Sequence, residues 1–271
     1  ETFAALHKGP GILVLPNAWD AASAAVMEDA GAKAVATSSA AVAWAHGYPD
    51  GDFLPLPNLI STISAVARVV SVPVTADIEG GYTDDLGQLG ETIKAVVGAG
   101  AVGINLEDGS RDPDLHARKI EAARKAADAT GVALFINARI DTYLRQLFEG
   151  EAAETETIRR AALYSEAGAN GVFVPGPTDD ALVGRLAKAI AAPLNMMLIK
   201  GLSPAARLQE LGVRLCRSGA RPFAGVYAHL ANAVKAYLAD GRVDPFMTEG
   251  VFSGDFQVQP VRPAIGVWRG D

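Results

Sequence analysis

The sequence predicts an α/β fold, a (β/α)8 TIM barrel in which eight parallel strands alternate with helices. Eight short apolar runs, rich in Val and Ile, alternate with segments of helical periodicity, which is typical of buried parallel strands. Several helical segments end in a glycine, which accepts the left-handed backbone that stops a helix. A doubly wound sheet is the alternative. The count of eight and the lack of a glycine-rich turn after Leu15 favour the barrel.

The apolar runs define the expected strands. In chain order they are Gly11–Pro16, Ala32–Ser38, Val72–Glu79, Ala101–Asp108, Ala133–Asp141, Gly171–Gly176, Ala192–Leu198 and Val213–Gly219. Between them, the helical pattern that begins at Leu89 places Ile93, Val96 and Val97 on one face, which would pack on the sheet. After the eighth run, Pro222–Ala239 is predicted as one helix.

The chain has 271 residues, of which 49% are hydrophobic, enough for one large core. We predict one catalytic barrel domain over residues 1–240 that ends in a C-terminal helical extension. Residues 241–271 carry Gly, Pro and aromatic residues without periodicity. We expect this tail to pack on the barrel or on a neighbouring subunit.

Composition excludes several classes of protein. The net charge of −7 argues against a nucleic-acid partner, because a phosphate backbone attracts basic surfaces. We find no apolar run of the roughly 18 residues that a membrane span needs, and no signal-peptide pattern at the N-terminus. The single Cys216 excludes an intramolecular disulfide and a Cys-rich zinc site. We expect a cytoplasmic protein that binds neither nucleic acid nor membrane.

Unusual polar residues follow the predicted strands, where barrel enzymes carry their chemistry. Alternate residues of a strand face the same side, so each strand end offers a set of neighbouring side chains. These sets are Asp77 with Glu79, Asn105 with Glu107, and Asn137 with Arg139 and Asp141, while Asn195 lies on the seventh strand.

Asp77, Glu79 and Glu107 would form an all-oxygen cluster on neighbouring strands. Buried carboxylates are costly unless they are paired or bind a metal, and oxygen ligands suit a hard cation such as Mg²⁺. Arg139 beside them would suit a substrate carboxylate, which a guanidinium binds through two hydrogen bonds. The alternative is a salt-bridge network between Arg139 and these acids. The spacing leaves both open.

Five stretches together resemble the phosphoenolpyruvate mutase/isocitrate lyase superfamily, in particular its carboxyvinyl-carboxyphosphonate phosphorylmutase and oxaloacetate decarboxylase branch. They are PNAWDAASA at Pro16–Ala24, GYPD at Gly47–Asp50, TADIEGGY at Thr75–Tyr82, NLEDG at Asn105–Gly109 and NARIDTYL at Asn137–Leu144. The resemblance implies a (β/α)8 barrel whose final helix is exchanged between subunits, and therefore a homodimer or homotetramer.

The same resemblance implies Mg²⁺, or Mn²⁺, as cofactor and a 2-oxo acid or its enolate as the small-molecule partner. It implies that Asp77, Glu79 and Glu107 hold the metal, Asp77 directly and the others through water. Asp50 matches the acid that reaches the metal shell or the reacting group. Arg139 matches the residue that holds the substrate's carboxylate.

Further substrate contacts follow from the resemblance. Thr37, Ser38 and Ser39 match the loop whose hydroxyl and N–H groups hold the carboxylate of the 2-oxo acid. Asn195 matches a polar residue near the outer part of the substrate. Trp19 and Tyr82 follow predicted strands and are expected to line the pocket or to belong to the core.

The sequence departs from the lyase members of the superfamily in the loop after the fourth strand. The stretch Gly109–His116 has neither the cysteine nor the lysine of those loops, and Cys216 lies in the eighth strand, where a small buried hydrophobe is expected. Gly176 stands where those lyases have a glutamate. His116 and Arg111 are therefore the candidate loop groups that would replace the cysteine, with the alternative that His116 is a surface residue at a helix start.

Three functions remain at this point. The first is a Mg²⁺-dependent carbon–carbon lyase that acts on a 2-oxo acid through an enolate, most simply by oxaloacetate-type decarboxylation, because CO₂ leaves without a proton. The second is a hydrolase or lyase that breaks a C–C or P–C bond in a substituted malate-like or phosphono acid. The third is a barrel that binds a 2-oxo acid without turnover.

Overall fold

The computed structural model describes residues 2–247 of the chain, which are built around a barrel of parallel strands. Every apolar run of the sequence contains a strand. The strands are β1 (Leu13–Leu15), β2 (Asn17–Ala18), β3 (Val35–Thr37), β4 (Val74–Asp77), β5 (Gly103–Glu107), β6 (Phe135–Arg139), β7 (Gly171–Phe173), β8 (Leu194–Met197) and β9 (Leu215–Arg217).

The barrel closes through its first segment, which Pro16 divides into β1 and β2. Strand β1 pairs with β9 and β2 pairs with β3, and the strands from β3 to β9 pair in parallel and in sequence order. Pro16 has no backbone N–H and therefore interrupts the ladder at this point. Because β1 and β2 together form one barrel strand, the predicted (β/α)8 barrel is confirmed.

Helices follow the strands and cover the outside of the sheet. They are α1 (Thr2–Leu6), α2 (Ala21–Asp29), α3 (Ser39–Ala45), α4 (Leu56–Val69), α5 (Leu86–Gly98), α6 (Pro113–Ala129), α7 (Gly150–Glu166), α8 (Asp180–Ala189), α9 (Ala205–Glu210) and α10 (Arg221–Asp240), followed by a 3-10 turn at Asp244–Phe246.

The predicted apolar face of α5 packs on the sheet. Leu89, Ile93 and Val96 are buried, whereas Val97 lies at the edge of the face and is half-buried. Removing each such aliphatic side chain from water stabilises the fold by roughly 1.5–3 kcal/mol. The side-chain oxygen of Asp85 caps the helix by accepting the N–H of Gln88, which fixes where the helix begins.

Aromatic side chains close the amino-terminal end of the barrel. The ring of Phe135 on β6 stacks on His7 at 4.1 Å and meets Phe3 of α1 edge-on at 5.4 Å. Gly103 permits this approach, because a Cβ there would lie 2.8 Å from the Phe3 ring. These rings fill the barrel interior at its amino-terminal end in the described part of the chain.

Helix α10 covers little of the barrel. Ala233 is its one buried residue, while Val226, Leu230 and Leu238 are exposed. Among the described helices, none is long and apolar enough to span a membrane. Most of the predicted tail, from residue 248 onward, lies outside the described residues.

Candidate active site

A row of polar side chains crosses the inside of the barrel at the ends of β4, β5 and β6. The strand register places Asp77, Asn105 and Asn137 side by side. The Nδ2 of Asn137 donates to the Oδ1 of Asn105 at 2.8 Å, and the Nδ2 of Asn105 points to the Oδ2 of Asp77 at a long 3.5 Å. Asn137 thus orients the amide of Asn105, which points to the Asp77 carboxylate.

One step nearer the mouth, Arg139 lies in a network of ion pairs. Its Nη1 is 2.7 Å from Glu107, and its Nε and Nη2 donate to the two oxygens of Asp141 at 2.7 and 3.1 Å. Arg145 reaches both acids as well. Burial raises the pKa of Glu107 to about 7, although the charge of Arg139 opposes that shift. Arg139 and Glu107 therefore form a salt bridge in this structure, which is the alternative that the sequence left open.

Glu79 faces the loop that follows α3. Its Oε2 accepts the N–H groups of Gly51, at 2.7 Å, and of Asp52, and its Oε1 accepts the hydroxyl of Tyr82 at 3.0 Å. Its φ of +51° is left-handed, a conformation that costs a non-glycine residue free energy and is concentrated at functional sites. Burial raises the pKa of Glu79 to about 7, and the charges of Asp50 and Asp77 add to the shift.

Asp77, like Glu79, is a buried acid without an ion pair among residues 2–247, and it accepts fewer hydrogen bonds than Glu79 does. It is 8% exposed, and within residues 2–247 Arg139 and Arg145 form their ion pairs with Glu107 and Asp141 instead. Its Oδ1 accepts only the N–H of Glu79, at 3.3 Å. An uncompensated buried carboxylate is costly, and a hard cation would remove that cost.

The acids at this end of the barrel fit a divalent metal that is bound directly by one carboxylate and through water by the other two. The predicted ligands Asp77, Glu79 and Glu107 supply only oxygen, as Mg²⁺ requires. In the part of the chain that the structure describes, they do not converge into a preformed cage of three acids. Asp77 is free to bind directly, whereas Glu79 and Glu107 are engaged by N–H groups and arginines and would act through water.

Comparison with known proteins identifies the family. The family model for phosphoenolpyruvate phosphomutase matches residues 3–238, which contain every strand of the barrel. The chain belongs to this family. The resemblance inferred from the five sequence stretches is therefore confirmed, and with it membership of a superfamily of lyases and mutases.

Individual relatives of the family cover most of the chain. A Burkholderia cenocepacia protein of known structure, assigned as a phosphonomutase, is 40% identical with a TM-score of 0.83 over 86% of this chain and 97% of its own. The chloroplastic carboxyvinyl-carboxyphosphonate phosphorylmutase of Arabidopsis thaliana is 30% identical and covers 83% of this chain and 70% of its own. An oxaloacetate decarboxylase of Pseudomonas savastanoi is 28% identical over 84% and 81% of the two chains.

Asp50, the last residue of the GYPD stretch, and Asp52 lie on the loop 50–52 beside Glu79. The pKa of Asp50 is raised because its carboxyl is partly withdrawn from water and because Asp77 is negatively charged. Asp52 accepts the N–H groups of Gly80 and Tyr82 at 3.2 Å and pairs with Arg111 at 2.9 Å. Arg111 therefore fastens the loop 50–52 over Glu79.

Arg111 does not point into the barrel. Its Nε donates to Asp84 at 2.8 Å, and its guanidinium lies flat against Gly80, where a Cβ would be 2.3 Å from it. Gly80 thus allows the loop after β5 to contact the loop after β4. The sequence predicts Arg111 as a catalytic loop group, but the contacts described here join loops to each other.

His116 requires a correction. The sequence places it at the end of a loop, yet it is the fourth residue of α6 and is completely buried. Its ring meets Tyr164 edge-on at 4.7 Å, and neither ring nitrogen has a hydrogen-bond partner among the described residues. Burial lowers its pKa to about 3, and nearby Lys119 and Arg111 add to the shift. As placed, it is a neutral core residue without access to the mouth.

The predicted substrate loop after β3 is buried and well ordered by hydrogen bonds. The Oγ1 of Thr37 accepts the N–H of Asp77 at 2.9 Å, and the Oγ of Ser38 caps α3 by accepting the N–H of Ala41 at 3.4 Å. Ser39 is buried beside them. This loop therefore lies directly against the Asp77 strand, as a substrate loop of that acid should.

The two aromatic residues predicted to line the pocket, Trp19 and Tyr82, have different surroundings. Trp19 is buried and meets the ring of Phe223 edge-on at 5.4 Å, so it contacts the start of α10. Tyr82 is half-buried, has a φ of +63° and donates its hydroxyl to Glu79. Tyr82 thus belongs to the group of residues around the candidate metal acids.

The sequence interpretation missed Arg217, the last residue of β9. It is 2% exposed, and its Nε and Nη1 have no hydrogen-bond partner within residues 2–247. Asn195 on β8 is 1% exposed, and neither its Nδ2 nor its Oδ1 has a partner there. Strand alternation could have found Arg217, since it shares a face with the inward Leu215.

A surface cavity of about 770 Å³ lies apart from these residues, between α7 and α8. Its charged lining includes Glu154 and Arg185, which already pair at 2.8 Å. None of the predicted site residues lines this cavity. The predicted site residues on the strands lie instead toward the carboxyl end of the barrel.

Proposed function

We propose that the protein is a Mg²⁺-dependent lyase that acts on a 2-oxo acid through an enolate, most simply by oxaloacetate-type decarboxylation. The observation that carries the proposal is Asp77, a buried acid without a counter-ion at the carboxyl end of the barrel. Membership of a family of lyases and mutases supports the reaction class, and the similarity to an oxaloacetate decarboxylase supports this branch.

In this proposal Asp77 holds the metal directly and Glu79 and Glu107 hold it through water. When bound, Mg²⁺, or Mn²⁺ in its place, supplies Lewis-acid stabilisation of the negative charge that grows on the carbonyl oxygen. The amide of Asn105 points to Asp77 and is itself oriented by the amide of Asn137. Together the two amides would hold the Asp77 carboxylate in one orientation.

Arg139 is proposed to bind the carboxylate next to the carbonyl group. Asp141 accepts a hydrogen bond from the Nε side of the guanidinium. The other side, which contacts Glu107, would then bind a substrate carboxylate that displaces Glu107. The loop Thr37–Ser39 would meet the same carboxylate with hydroxyl and N–H groups. Asp50, with its raised pKa, would contact the water around the metal and the reacting group.

The missing loop cysteine explains why decarboxylation is placed first. The bond from C3 to its carboxylate breaks, its electron pair remains as the enolate, and CO₂ leaves without needing a proton. The enolate then takes a proton from water. Neither Arg111, which joins two loops, nor the completely buried His116 is needed as an acid in this step.

We also propose that the chain forms a homodimer or homotetramer through α10. Val226, Leu230 and Leu238 on that helix are exposed, and burying such apolar side chains against another subunit would be favourable. Sedimentation of the full chain should give a dimer or tetramer. A monomer at micromolar concentration would contradict this proposal.

An NMR time course tests the reaction. The purified full chain is incubated with oxaloacetate, other 2-oxo acids, 2-hydroxy tricarboxylates and phosphonopyruvate, with Mg²⁺ and again with excess chelator. We expect metal-dependent conversion of oxaloacetate to pyruvate, faster than in protein-free solution with the same Mg²⁺. Cleavage of a substituted malate or of a P–C bond would replace this reaction with the second one, and binding without turnover would make the protein a binder.

A further inference from the structure

Two polar side chains on the β8–β9 side of the barrel are buried without partners. The Nε and Nη1 of Arg217, and both polar atoms of the Asn195 amide, make no hydrogen bond within residues 2–247. Both residues are almost completely buried. We call them the unpaired pair.

The unpaired pair is costly for the folded protein. A buried polar group that loses its hydrogen bonds to water costs free energy, and a charged group costs more. Burial lowers the pKa of Arg217 to about 10, which still leaves it charged at neutral pH. No acid forms an ion pair with it in the described part of the chain, although Asp77 acts on it from a distance. A group of this kind is explained if a ligand supplies its partner.

The strand register places the unpaired pair on one inward face. Asn195 lies opposite Leu215 on β9, and Arg217 is two residues further along that strand, on the same side as Leu215. Leu215 belongs to the buried floor of the barrel together with Phe3 and Phe135. Arg217 therefore points into the barrel above that floor, toward the mouth, rather than out to the helices.

The guanidinium groups of Arg139 and Arg217 both lie near the ring of Phe173. Their guanidinium carbons are 5.8 and 5.1 Å from the centroid of Phe173, so the two groups are at most about 11 Å apart. A short dicarboxylate that accepts hydrogen bonds at both ends spans a distance of this kind. The first end would meet Arg139, as proposed above, and the second would meet Arg217.

We propose that Arg217, assisted by the amide of Asn195, binds a second anionic group on the substrate, and so selects 2-oxo acids that carry a carboxylate or phosphonate beyond the carbonyl. This deepens the proposed function and rests on it. Arg217 is a specificity residue here. In oxaloacetate the outer anion is the carboxylate that leaves as CO₂, so Arg217 would bind this carboxylate in the substrate and would not stabilise the enolate that forms. A guanidinium accepts either anion through paired hydrogen bonds.

The test compares ligands that differ in the second anion. Binding of pyruvate, malate and phosphonopyruvate to the full chain is measured by calorimetry in the presence of Mg²⁺, for the wild type, Arg217→Met and Arg217→Lys. Arg214→Met is the matched control, because Arg214 lies on the opposite face of the same segment and donates to the carbonyl of Gly9.

We expect Arg217→Met to weaken malate, phosphonopyruvate or both by about 30-fold, which equals about 2 kcal/mol at 1.4 kcal/mol per tenfold change. Pyruvate binding should change by less than about threefold. Arg217→Lys should recover part of the loss, since it restores the charge without the planar fork. Whichever dianion responds identifies the anion as carboxylate or phosphonate. In turnover of oxaloacetate, KM should rise and kcat should not fall, because Arg217 would stabilise the carboxylate of the substrate more than the transition state, in which the charge moves to the carbonyl oxygen.

The other possible results of this binding test decide between the assignment of Arg217 and the proposed reaction. Equal weakening of pyruvate and the dianions, or no weakening of either, would overturn the assignment of Arg217. If the wild type binds dianions but converts none of the substrates tested, the proposed reaction fails and the subsite stands. If it binds none of the three with Mg²⁺, both proposals are wrong.

Discussion

The polar side chains around the ends of β5 and β6 differ from those on β8 and β9 in whether the protein itself supplies their partners. We call the first set the paired cluster, which consists of Glu107, Asp108, Arg139, Asp141 and Arg160. Its ion pairs and hydrogen bonds join strand ends to each other and to α7. Arg217 and Asn195, the unpaired pair, have no such partners in the described residues.

Asp108 explains how the paired cluster is anchored. Its Oδ2 accepts from Arg160 and from the hydroxyl of Tyr164 at 2.8 Å each, and its Oδ1 accepts the N–H of Asp141 at 2.9 Å. One completely buried carboxylate thus connects α7 with the loop after β6. Satisfied networks of this kind fix a geometry, whereas unsatisfied groups in the same barrel are free to bind a ligand. Within one site, the paired cluster therefore maintains the geometry and the unpaired pair is available to bind a ligand.

The largest expected effect falls on Asp77, which belongs to neither set. Asp77→Asn removes the buried acid that is proposed to hold the metal directly, so we expect Mg²⁺-dependent turnover to fall by more than about a hundredfold. Initial rates at several Mg²⁺ concentrations measure this. Glu121→Gln, which alters an exposed acid on α6, is the control. A rate that is unchanged in the variant, or in the wild type with chelator, would remove Asp77 from the metal site.

Much of this arrangement could be predicted from the sequence, because barrel geometry converts spacing into neighbourhood. Strand alternation and parallel pairing together require Asp77, Asn105 and Asn137 to meet, and they do. The direction of Glu79 could not be predicted, because a strand pattern presumes extended backbone and Glu79 has a positive φ. Sequence spacing also does not predict that Arg139 forms ion pairs with two acids while Arg217 forms none within residues 2–247, because ion pairing depends on side chains from several strands.

The next prediction breaks the paired cluster through its arginine. Arg160→Met leaves the buried carboxylate of Asp108 without its charged partner, and breaking a buried ion pair in this way costs about 3–5 kcal/mol. Denaturant unfolding should show this loss at neutral pH. Arg159→Met is the control, because Arg159 precedes it on α7 and pairs with Glu156 near the surface. Equal stabilities for the two variants would contradict the anchoring role of Asp108.

His116 tests whether a buried neutral base limits stability in acid. Its pKa of about 3 lies below the usual 6.5, so the unfolded chain takes up this proton first, and the stability that the group contributes above pH 6.5 is lost as the pH falls toward 3. His116→Leu should therefore flatten the acid limb by about 1.4 kcal/mol per pH unit.

Unfolding curves between pH 7 and pH 4 measure that slope in the wild type and in His116→Leu. A parallel acid limb in wild type and His116→Leu would show that His116 is not held neutral. Full turnover by His116→Leu would also exclude the predicted acid role. The sequence contained a warning against that role, because Asp112-Pro113 is a helix start and Asp112 does accept the N–H groups of Asp114 and Leu115.

The smallest expected effect has the opposite sign to that of Arg160→Met and comes from the matching change in the unpaired pair. Arg217→Met removes a buried charge that has no protein partner, so ligand-free protein should be unchanged or more stable by about 1 kcal/mol. Thermal unfolding without ligand measures this, and saturating malate with Mg²⁺ should reverse the order, since a ligand stabilises the form that binds it. A loss of several kcal/mol without ligand would instead place Arg217 in the scaffold, with Asp77 as its partner.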